Sequence, residues 1–448
     1  MTSISSFNTP LSALRAQQRV LDVSAHNIAN ATTPGYRRQS VLLAPAGSGP
    51  VSALGQRNGV DVVSVTRNTD DLTVLRASRE EAGRAAADAS KAALASVEQV
   101  FPEPTDMGMA NQLHDYWASW TTLSSDPANP AARSAVLAKG DLLVSAMHRS
   151  AASLTNISDS AKERLTSLAS EANSLLAQVV SFNQQVLSSA TPEQLDQRDQ
   201  VVAQLTKLTG AVTQGTANGQ LNVFIGGRQV VAGEFKETLE APTGVLRFAS
   251  DSQAVLMTSG EGASVAATIN DLVPRYTAAL DNVAATLVSS VNTLHAAGYT
   301  QAGVTGLNFF DPVGVTASTI ALSTDVAGLP ANIAAGAPKL PGPVAPGPLD
   351  GNQARALAAL ADSATGADSV YQTMIGGLGV ESQSAQQRSN VQATIADAAT
   401  RDADAVGAVS LDEEMTTIMQ AQRAFQAASK VLTTIDELVG YLIDRVGH

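Results

Sequence analysis

The carboxyl-terminal stretch, residues 410–446, reads SLDEEMTTIMQAQRAFQAASKVLTTIDELVGYLIDRV. Ser410 and Glu413 have the spacing of a capping box, in which each side chain satisfies an amide of the first helical turn. The apolar residues that follow alternate three and four apart, and they are Ile418, Ala421, Phe425, Ala428, Leu432, Ile435, Val439, Leu442 and Val446. This is the a/d pattern of a coiled-coil seam. The stretch therefore predicts one helix, about 50 Å long, that packs along another helix.

The amino-terminal stretch predicts a second helix of the same kind. Thr9 can cap it, and Pro10 suits its first position, where the missing amide hydrogen is not needed. A turn at Thr33-Pro34-Gly35 ends it. Its seam consists of Leu11, Leu14, Gln18, Leu21, Ala25 and Ile28. Narrow seams at both chain ends favour pairing of the two helices with each other and with other subunits. The alternative that stays open is ordinary packing of each helix on its own domain.

Length and composition predict a mainly α, multidomain chain. Its 448 residues exceed what one hydrophobic core usually serves. Apolar residues make up 44% of the chain but aromatic residues only 4%, and the many alanines favour closely packed helices. We expect a terminal α-helical coiled-coil layer from both chain ends, a helical rod-like domain and a small inserted β-rich domain. The expected bounds are 1–35 and 406–448 for the terminal layer; 36–209, 266–300 and 350–405 for the rod-like domain, with a short strand-containing loop at 36–70; and 210–265 and 301–349 for the small β-rich or irregular domain.

Local patterns assign elements within the middle of the chain. Alternating valines indicate a strand at 60–65, and the alanine-rich stretch 71–100 is typical of a helix. A period of two at 221–231, with glycine turns on either side, predicts a β-meander. Trp117 and Trp120 lie on one helical face among leucines, which favours packing in a core over stacking on a sugar or a base.

Glycine and proline mark the predicted breaks. The proline- and glycine-rich stretch 336–348 cannot sustain a helix or a central strand and predicts a stiff surface loop. Helical patterns return at Asn352 and run to about Asp402, with expected interruptions at Gly366 and at Gly376-Gly377.

Residues that carry chemistry are sparse in this chain. There is no cysteine, and the five histidines stand singly, without the spacing of metal ligands. No phosphate-binding glycine loop and no nucleophile elbow is present. The acidic run Asp412-Glu413-Glu414 fits a helix start better than an acid–base pair. We therefore predict that the chain is not an enzyme and has no catalytic, cofactor-binding or metal-binding residues.

Charge and hydropathy argue against nucleic acid and membrane as partners. The formal net charge is -13, which repels nucleic acid unless a basic patch is concentrated locally. The densest basic group, Arg15, Arg19, Arg37 and Arg38, is interpreted as a solvated face. No stretch approaches the roughly 20 apolar residues that span a bilayer. The amino terminus also lacks the basic start and apolar run of a cleaved secretory signal.

Two terminal motifs resemble a known family. Residues 21–36, LDVSAHNIANATTPGY, resemble the amino-terminal signature of the bacterial flagellar rod, hook and hook-associated proteins. Residues 411–414, LDEE, and residues 420–428, QAQRAFQAA, resemble the matching carboxyl-terminal motif. Both motifs occur at the correct ends and in the correct order, which makes the resemblance specific.

Internal motifs resemble the members of this family that form the junction between hook and filament. Tyr36 is followed by Arg37-Arg38-Gln39, residues 195–200 read LDQRDQ, and residues 291–295, VNTLH, precede a glycine and the pair Phe309-Phe310. The resemblance implies a structural subunit that assembles helically with copies of itself. It implies export through the flagellar type III apparatus without a cleaved signal, and an extracellular place in the flagellum.

The resemblance also implies partners and an interface. The implied partners are further copies of the chain, the hook protein, the second junction protein and an export chaperone that binds the carboxyl-terminal helix. The terminal helices are expected to order on assembly. The alternatives are another axial flagellar subunit and, in a different class, a coiled-coil surface adhesin. The expected assembly interface consists of Leu11, Leu14, Leu21, Asn27, Ile28, Asn30, Pro34, Gly35, Tyr36, Ile418, Phe425, Leu432, Ile435, Val439 and Leu442.

Overall fold

The computed structural model describes residues 3–33, 35–46, 59–187, 190–338 and 345–446. Its α-helices are α1 (Ser3–Asn30), α2 (Asp71–Val100), α3 (Met109–Ser125), α4 (Pro130–Leu187), α5 (Pro192–Thr209), α6 (Glu261–Ala267), α7 (Val273–Ala297), α8 (Asn352–Ala358), α9 (Ala367–Gly407) and α10 (Leu411–Val446). Its strands are β1 (Gln39–Pro45), β2 (Val60–Arg67), β3 (Val212–Gly215), β4 (Leu221–Ile225), β5 (Arg228–Ala232), β6 (Phe235–Lys236), β7 (Leu239–Glu240) and β8 (Arg247–Phe248). The predicted mainly α fold with a small β-rich insertion is confirmed.

The chain divides into two compact units by internal contacts. The first unit comprises 1–83, 172–238 and 393–448, and the second comprises 84–171 and 239–392. This grouping differs from the division expected from the sequence, which placed 210–265 with 301–349. The difference arises because β3–β6 belong to the first unit, whereas Phe309, Phe310 and Ile320 are buried in the helical core of the second.

An aromatic cluster forms the centre of the second unit. Tyr116 of α3 packs against Phe309 and Phe310, and Trp120 packs against Phe309, with ring centroids 5.4 to 6.1 Å apart. Trp117 and Trp120 are only 3% and 0% exposed, which confirms the prediction that they are core residues. The large rings bury enough apolar surface to fix the surrounding helices.

Asn292 explains why the loop after α7 can be buried. Its Oδ1 accepts hydrogen bonds from the amides of Phe309 and Phe310, and its Nδ2 donates to the Phe310 carbonyl. One buried side chain thus satisfies three backbone groups that would otherwise be desolvated without partners.

In the first unit, α5 leads into a four-stranded antiparallel sheet. Thr191 and Gln194 form a capping box at the start of α5, and Gly210 ends the helix in the left-handed region, at φ +67°. The strand order is β3-β4-β5-β6, with consecutive strands paired, so the predicted meander is confirmed. Positive φ values at Gly226 and Gly227 form the tight turn between β4 and β5.

The two chain ends meet in the first unit. Helices α1 and α10 pack against each other, and residues just after α1 bind residues at the start of α10. The helices therefore form an antiparallel hairpin. Strands β1 and β2 pair antiparallel, with a bulge between Leu42 and Leu43, and pack on α1. We refer to α1 and α10 together as the terminal hairpin.

Two expectations for helix bounds were wrong. Helix α1 begins at Ser3 and contains Pro10, so the helix extends beyond the predicted cap at Thr9. Proline removes one amide donor from a helix but does not end it where packing holds both sides. Helix α9 continues through Gly376 and Gly377. Before α7, helix α6 is followed directly by the π-helical turn Thr268–Leu272.

Packing explains why the two glycines do not interrupt α9. Tyr371, Met374 and Leu378 bury one face of the helix, while Gly376 and Gly377 lie on its exposed face. The cost of about 1 kcal/mol per glycine is smaller than the gain from burying those large side chains.

The proline- and glycine-rich stretch lies partly outside the described residues, at 339–344. Pro338 before this gap is exposed, and so is Ala345 after it. Among the helices as described, none has a stretch long and apolar enough to cross a membrane.

Candidate assembly interface

Asn27 organises the turn that follows α1. Its side chain is fully buried, its Nδ2 donates to the Gln39 carbonyl, and its Oδ1 accepts from the Gln39 amide, both at 2.9 Å. The Tyr36 hydroxyl donates to the same Oδ1 at 2.7 Å. Burial raises the pKa of Tyr36, and the carboxylate of Glu193 raises it further. The hydroxyl therefore stays protonated and able to donate.

Arg38 joins this turn to the start of α10. Its Nε donates to Glu414 at 2.7 Å and its Nη1 to Glu413 at 2.8 Å, while its backbone amide donates to the Gly407 carbonyl at the end of α9. The Glu414 side chain is only 2% exposed. Ser410 caps α10 by accepting from the Glu413 amide at 3.4 Å. The predicted helix start is confirmed, and the carboxylate of Glu413 binds Arg38.

Arg37 joins the same turn to α5 and α9. Its backbone amide donates to Asp196, and its guanidinium donates to the Ala403 carbonyl and to Asp404. Arg37 and Arg38 are thus engaged in ion pairs, with side chains only 17% and 26% exposed. The interpretation of this arginine group as a solvated face was wrong for these two residues, because their partners lie more than 150 residues away in the sequence.

Arg67, at the end of β2, completes the set of charges. Its Nη1 donates to Asp196 at 2.7 Å and to Asp199 at 2.8 Å. Burial raises the pKa of Asp196, although its bond to Arg67 acts in the opposite direction. Removing Arg67 would therefore leave a buried carboxylate without its main partner.

We call these charged residues the polar hub, defined as Arg37, Arg38, Arg67, Asp196, Asp199, Glu413 and Glu414. The polar hub brings together three sequence motifs: the continuation of the amino-terminal signature, the LDQRDQ motif of α5 and the LDEE motif of α10. These motifs are recognisable in the sequence, but the sequence did not predict that they bind one another. Opposite charges within separate recognised motifs were the only available signal.

A cavity of about 220 Å³ lies beside the polar hub. Its lining includes Gly35, Arg37, Glu81, Asp196 and Gln200. Across the described part of the chain, no group of three or more His, Cys, Asp or Glu side chains could hold a metal ion.

The structure places the predicted interface residues at several depths. Leu11 is 38% exposed and Gly35 is exposed, whereas Asn27 is buried. The half-buried ones are Leu14, Leu21, Ile28, Asn30, Tyr36, Ile418, Phe425, Leu432, Ile435 and Val439. Pro34 lies outside the described residues, and so does the side chain of Leu442. The α10 residues on this list lie along the helix face that also carries the buried Ala421.

A second set of apolar side chains on α10, missed by the sequence reasoning, is exposed. They are Leu411 (53%), Met415 (52%), Met419 (48%), Val431 (51%), Leu438 (57%), Tyr441 (62%) and Ile443 (68%). Single exposed apolar residues are common on proteins, but seven of them make the exposed sides of this helix unusually apolar. They escaped notice because they fall outside the three-four seam.

Three family models match the chain. The model described as "Flagellar hook-associated protein FlgK helical domain" matches 94–310. The model "Flagella basal body rod protein" matches 7–37, and "Flagellar basal body rod FlgEFG protein C-terminal" matches 408–445. The two short matches fall on α1 and α10.

Curated relatives and a solved structure are also similar. "Flagellar hook-associated protein 1" of Bacillus subtilis (strain 168) is 27% identical over an alignment of 490 positions, gaps included, that covers 97% of each chain. The protein of the same name from Escherichia coli (strain K12) is 26% identical over 68% of this chain and 59% of its own length, so the match spans less than two thirds of that relative. The "flagellar hook junction protein FlgK from Burkholderia pseudomallei" has a TM-score of 0.65 at 14% identity, over 73% of this chain and 99% of that chain. At this identity the last comparison shows a shared fold.

Proposed function

We propose that this chain is a flagellar hook-associated protein of the rod and hook family, and that it is a structural subunit at the junction between hook and filament. One observation carries the proposal: the terminal hairpin joins both chain ends while its α10 helix keeps exposed apolar side chains. A subunit with this surface gains free energy when neighbouring copies cover it.

The mechanism we propose is helical self-assembly driven by burial. In the single subunit the seam leucines Leu14 and Leu21 of α1 are half-buried, as are Phe425, Leu432 and Val439 of α10, so neighbouring hairpins can bury them further. Leu11 of the α1 seam is exposed. Exposed residues such as Leu438 and Tyr441 provide additional contact area. Each large apolar side chain that becomes fully buried contributes about 1.5 to 3 kcal/mol. Phe425, Leu432 and Val439 would then contribute to pairing within the hairpin first and to contacts with neighbours second.

The partners that follow from this role are further copies of the chain, the hook protein on one side and the second junction protein on the other. An export chaperone would bind α10, whose exposed apolar surface needs cover before assembly. The place of action would be outside the cell, after export without a cleaved signal. We assign the chain no catalytic role and no cofactor, since the proteins that it resembles are hook-associated proteins of the flagellum.

Deletion of the gene in its source bacterium tests the proposal. We expect cells that build hooks but carry no filaments, with the filament subunit released into the medium, and we expect the intact gene to restore filaments. The matched control is restoration with the Arg19→Gln variant, since Arg19 lies exposed on α1. Cells that lack hooks would instead indicate a hook subunit. Normal filaments on the deletion strain would contradict any axial role and favour an adhesin.

A further inference from the structure

Among the described side chains of α10, the two that are buried lie in the first eleven residues of the helix. Glu414 and Ala421 are only 2% and 3% exposed. Beyond Ala421, every α10 side chain that the structure describes is half-buried or exposed. The helix therefore has a base, 411–421, that is fixed by buried side chains, and a distal part, 422–446, that is not.

Helix α1 is held differently from the distal part of α10. Ala16, Val23 and Asn27 are buried along its length, and Ser12 accepts a hydrogen bond from the Val60 amide of β2 at 3.1 Å. The β1–β2 pair packs on α1. The distal part of α10 thus has fewer buried contacts than the helix it packs against.

The free energy of ordering is expected to differ between the base of α10, 411–421, and its distal part, 422–446. Ordering a residue costs roughly 1 to 2 kcal/mol of backbone entropy, and isolated helices are marginal in water. Residues 422–446 have no fully buried side chain, as far as their side chains are described, to offset this cost. Residues 411–421 have two such side chains and the ion pairs of Arg38.

The ion pairs of Arg38 are suited to hold the base in place. A single guanidinium binds two successive carboxylates of the first turn of α10, while the Arg38 amide binds the last residue of α9. Arg37 reinforces this connection through Ala403 and Asp404, in the last turns of α9. Hydrogen bonds between charged groups are roughly twice as strong as neutral ones. The start of α10 is therefore fixed from both the turn after α1 and the end of α9.

We propose that the polar hub is an anchor that keeps the base of the terminal hairpin folded in the single subunit, before any neighbour binds. The base then presents the distal part of α10 at a fixed position, from which helix formation can propagate without a new nucleus. Initiation is the costly step in helix formation, since several residues must be ordered for the first hydrogen bond. An anchored first turn removes that step from assembly. Only this consequence for assembly rests on the proposed function.

Hydrogen exchange of the purified monomer, read by mass spectrometry of peptides, tests the anchor. In the wild-type chain we expect amides in 411–421 to be protected and those in 422–446 to exchange much faster. In the Arg38→Gln variant we expect exchange in 411–421 to accelerate roughly tenfold or more, the effect of losing hydrogen bonds to charged groups. The matched control is Arg19→Gln, an exposed arginine on α1, which should leave both segments unchanged.

A second variant covers the case in which Arg38→Gln unfolds the first unit. Glu413 is 62% exposed, so Glu413→Gln removes the charge of one ion pair with Arg38 without burying a new group. It should accelerate exchange in 411–421 while peptides of α5 stay protected. Equal exchange of 411–421 and 422–446 in the wild-type monomer would overturn the proposal. So would unchanged exchange in both hub variants. Because these measurements use the monomer, their failure would leave the proposed junction role intact.

Discussion

Asn27, a residue of the amino-terminal signature, holds the turn after α1 in place through its side chain. Its buried amide makes three hydrogen bonds, two to the backbone of Gln39 and one to the Tyr36 hydroxyl. Replacement by alanine would leave the amide and carbonyl of Gln39 buried without partners, and each such group costs about 1 to 3 kcal/mol. The turn between α1 and β1 depends on this side chain.

We predict that Asn27→Ala lowers the thermal stability of the first unit more than Tyr36→Phe does. The alanine variant should lose about 2 to 4 kcal/mol, whereas the phenylalanine variant loses one hydrogen bond, worth about 1 kcal/mol. Thermal unfolding of the purified monomer, followed by circular dichroism, measures both. Equal effects of the two substitutions would show that Asn27 does not hold Gln39. The expected role of Asn30 and Tyr36 in contacts with neighbouring subunits stays a prediction.

His295 in the second unit is a buried histidine that must stay neutral. Its Nδ1 donates to the Leu307 carbonyl at 2.7 Å, and its Nε2 accepts from the Ala334 amide at 3.0 Å. Burial lowers the pKa of His295 from its ordinary value of 6.5 to about 4. A proton on Nε2 would also break the hydrogen bond from the Ala334 amide, because two N–H groups would then face each other. Protonation therefore favours the unfolded chain.

We predict that acid destabilises the second unit through His295. Its contribution is complete above pH 6.5, falls as the pH drops from 6.5 to 4 and levels off below that, because the unfolded state binds the proton first. The full change amounts to about 3 kcal/mol. Urea unfolding at pH 7 and pH 4.5 measures it in the wild type, in His295→Gln and in His114→Gln, an exposed control. An unchanged pH dependence in His295→Gln would contradict the assignment.

Residue identities predicted which motifs matter, but they could not predict the hydrogen-bond partners of those motifs. The motifs that contain Asn27, Asn292 and His295 were recognised from the sequence, because short polar residues in fixed order are visible there. Their partners were not visible, since hydrogen bonds to carbonyls and amides leave no trace in residue types. The sequence also failed to predict that Arg37 and Arg38 form ion pairs, because their partners Asp404 and Glu414 lie more than 360 residues away along the chain.

At the scale of elements, α9 shows where packing overrides local preference. Gly376 and Gly377 predicted an interruption, yet the helix runs from Ala367 to Gly407. A Cβ added to either glycine would meet nothing within 4 Å. The breaks expected from composition fail where one face is buried deeply enough, and the sequence shows that face only as a weak periodicity.

We predict that Gly377→Ala stabilises the second unit. Alanine has the better helix propensity, by about 1 kcal/mol, and it also reduces the entropy of the unfolded chain. The contrasting variant is Gly351→Ala, whose added Cβ would collide with the Ser124 carbonyl and should destabilise the unit. Urea unfolding of the two variants should move in opposite directions. A destabilised Gly377→Ala would mean that the exposed face of α9 has a packing role.

The extra turns at the start of α1 show the limit of capping signals. Thr9-Pro10 is a good helix start by local chemistry, but the helix begins at Ser3. Pro10 is buried in the first unit, so packing holds the chain in helical form on both sides of the proline. At the start of α10, by contrast, the local capping signal and the packing agree. The capping serine and the seam of α10 were predicted correctly.

At the scale of the whole molecule, the sequence indicated a family resemblance and predicted that the two terminal helices pair, but it did not predict which residues join them. The pairing of α1 with α10 was predicted because apolar residues in both helices alternate three and four apart. The polar hub did not follow from either seam, because its residues lie in turns and first turns rather than along the helices. The sequence also could not separate residues that pack within the hairpin from those that remain exposed, since both are apolar.

The apolar residues of α10 that remain exposed in the single subunit allow a direct test of assembly. Leu438 and Tyr441 are 57% and 62% exposed on the distal part of α10. We predict that the double variant Leu438→Ser, Tyr441→Ser changes monomer stability by less than about 0.5 kcal/mol, as expected for surface sites. Loss of two apolar contacts should weaken contacts between subunits by roughly 2 to 4 kcal/mol, about thirtyfold to a thousandfold.

The measurement is the number of filaments per cell when the variant replaces the wild-type gene, together with the amount of variant protein exported into the medium. Glu437→Ser, an exposed polar neighbour, is the matched control and should support normal filaments. Export with few filaments is the expected result, because the subunit then reaches the tip of the hook but binds its neighbours weakly. Retention inside the cell would assign these two residues to export instead, and normal filament numbers would show that neighbouring subunits do not cover this part of α10.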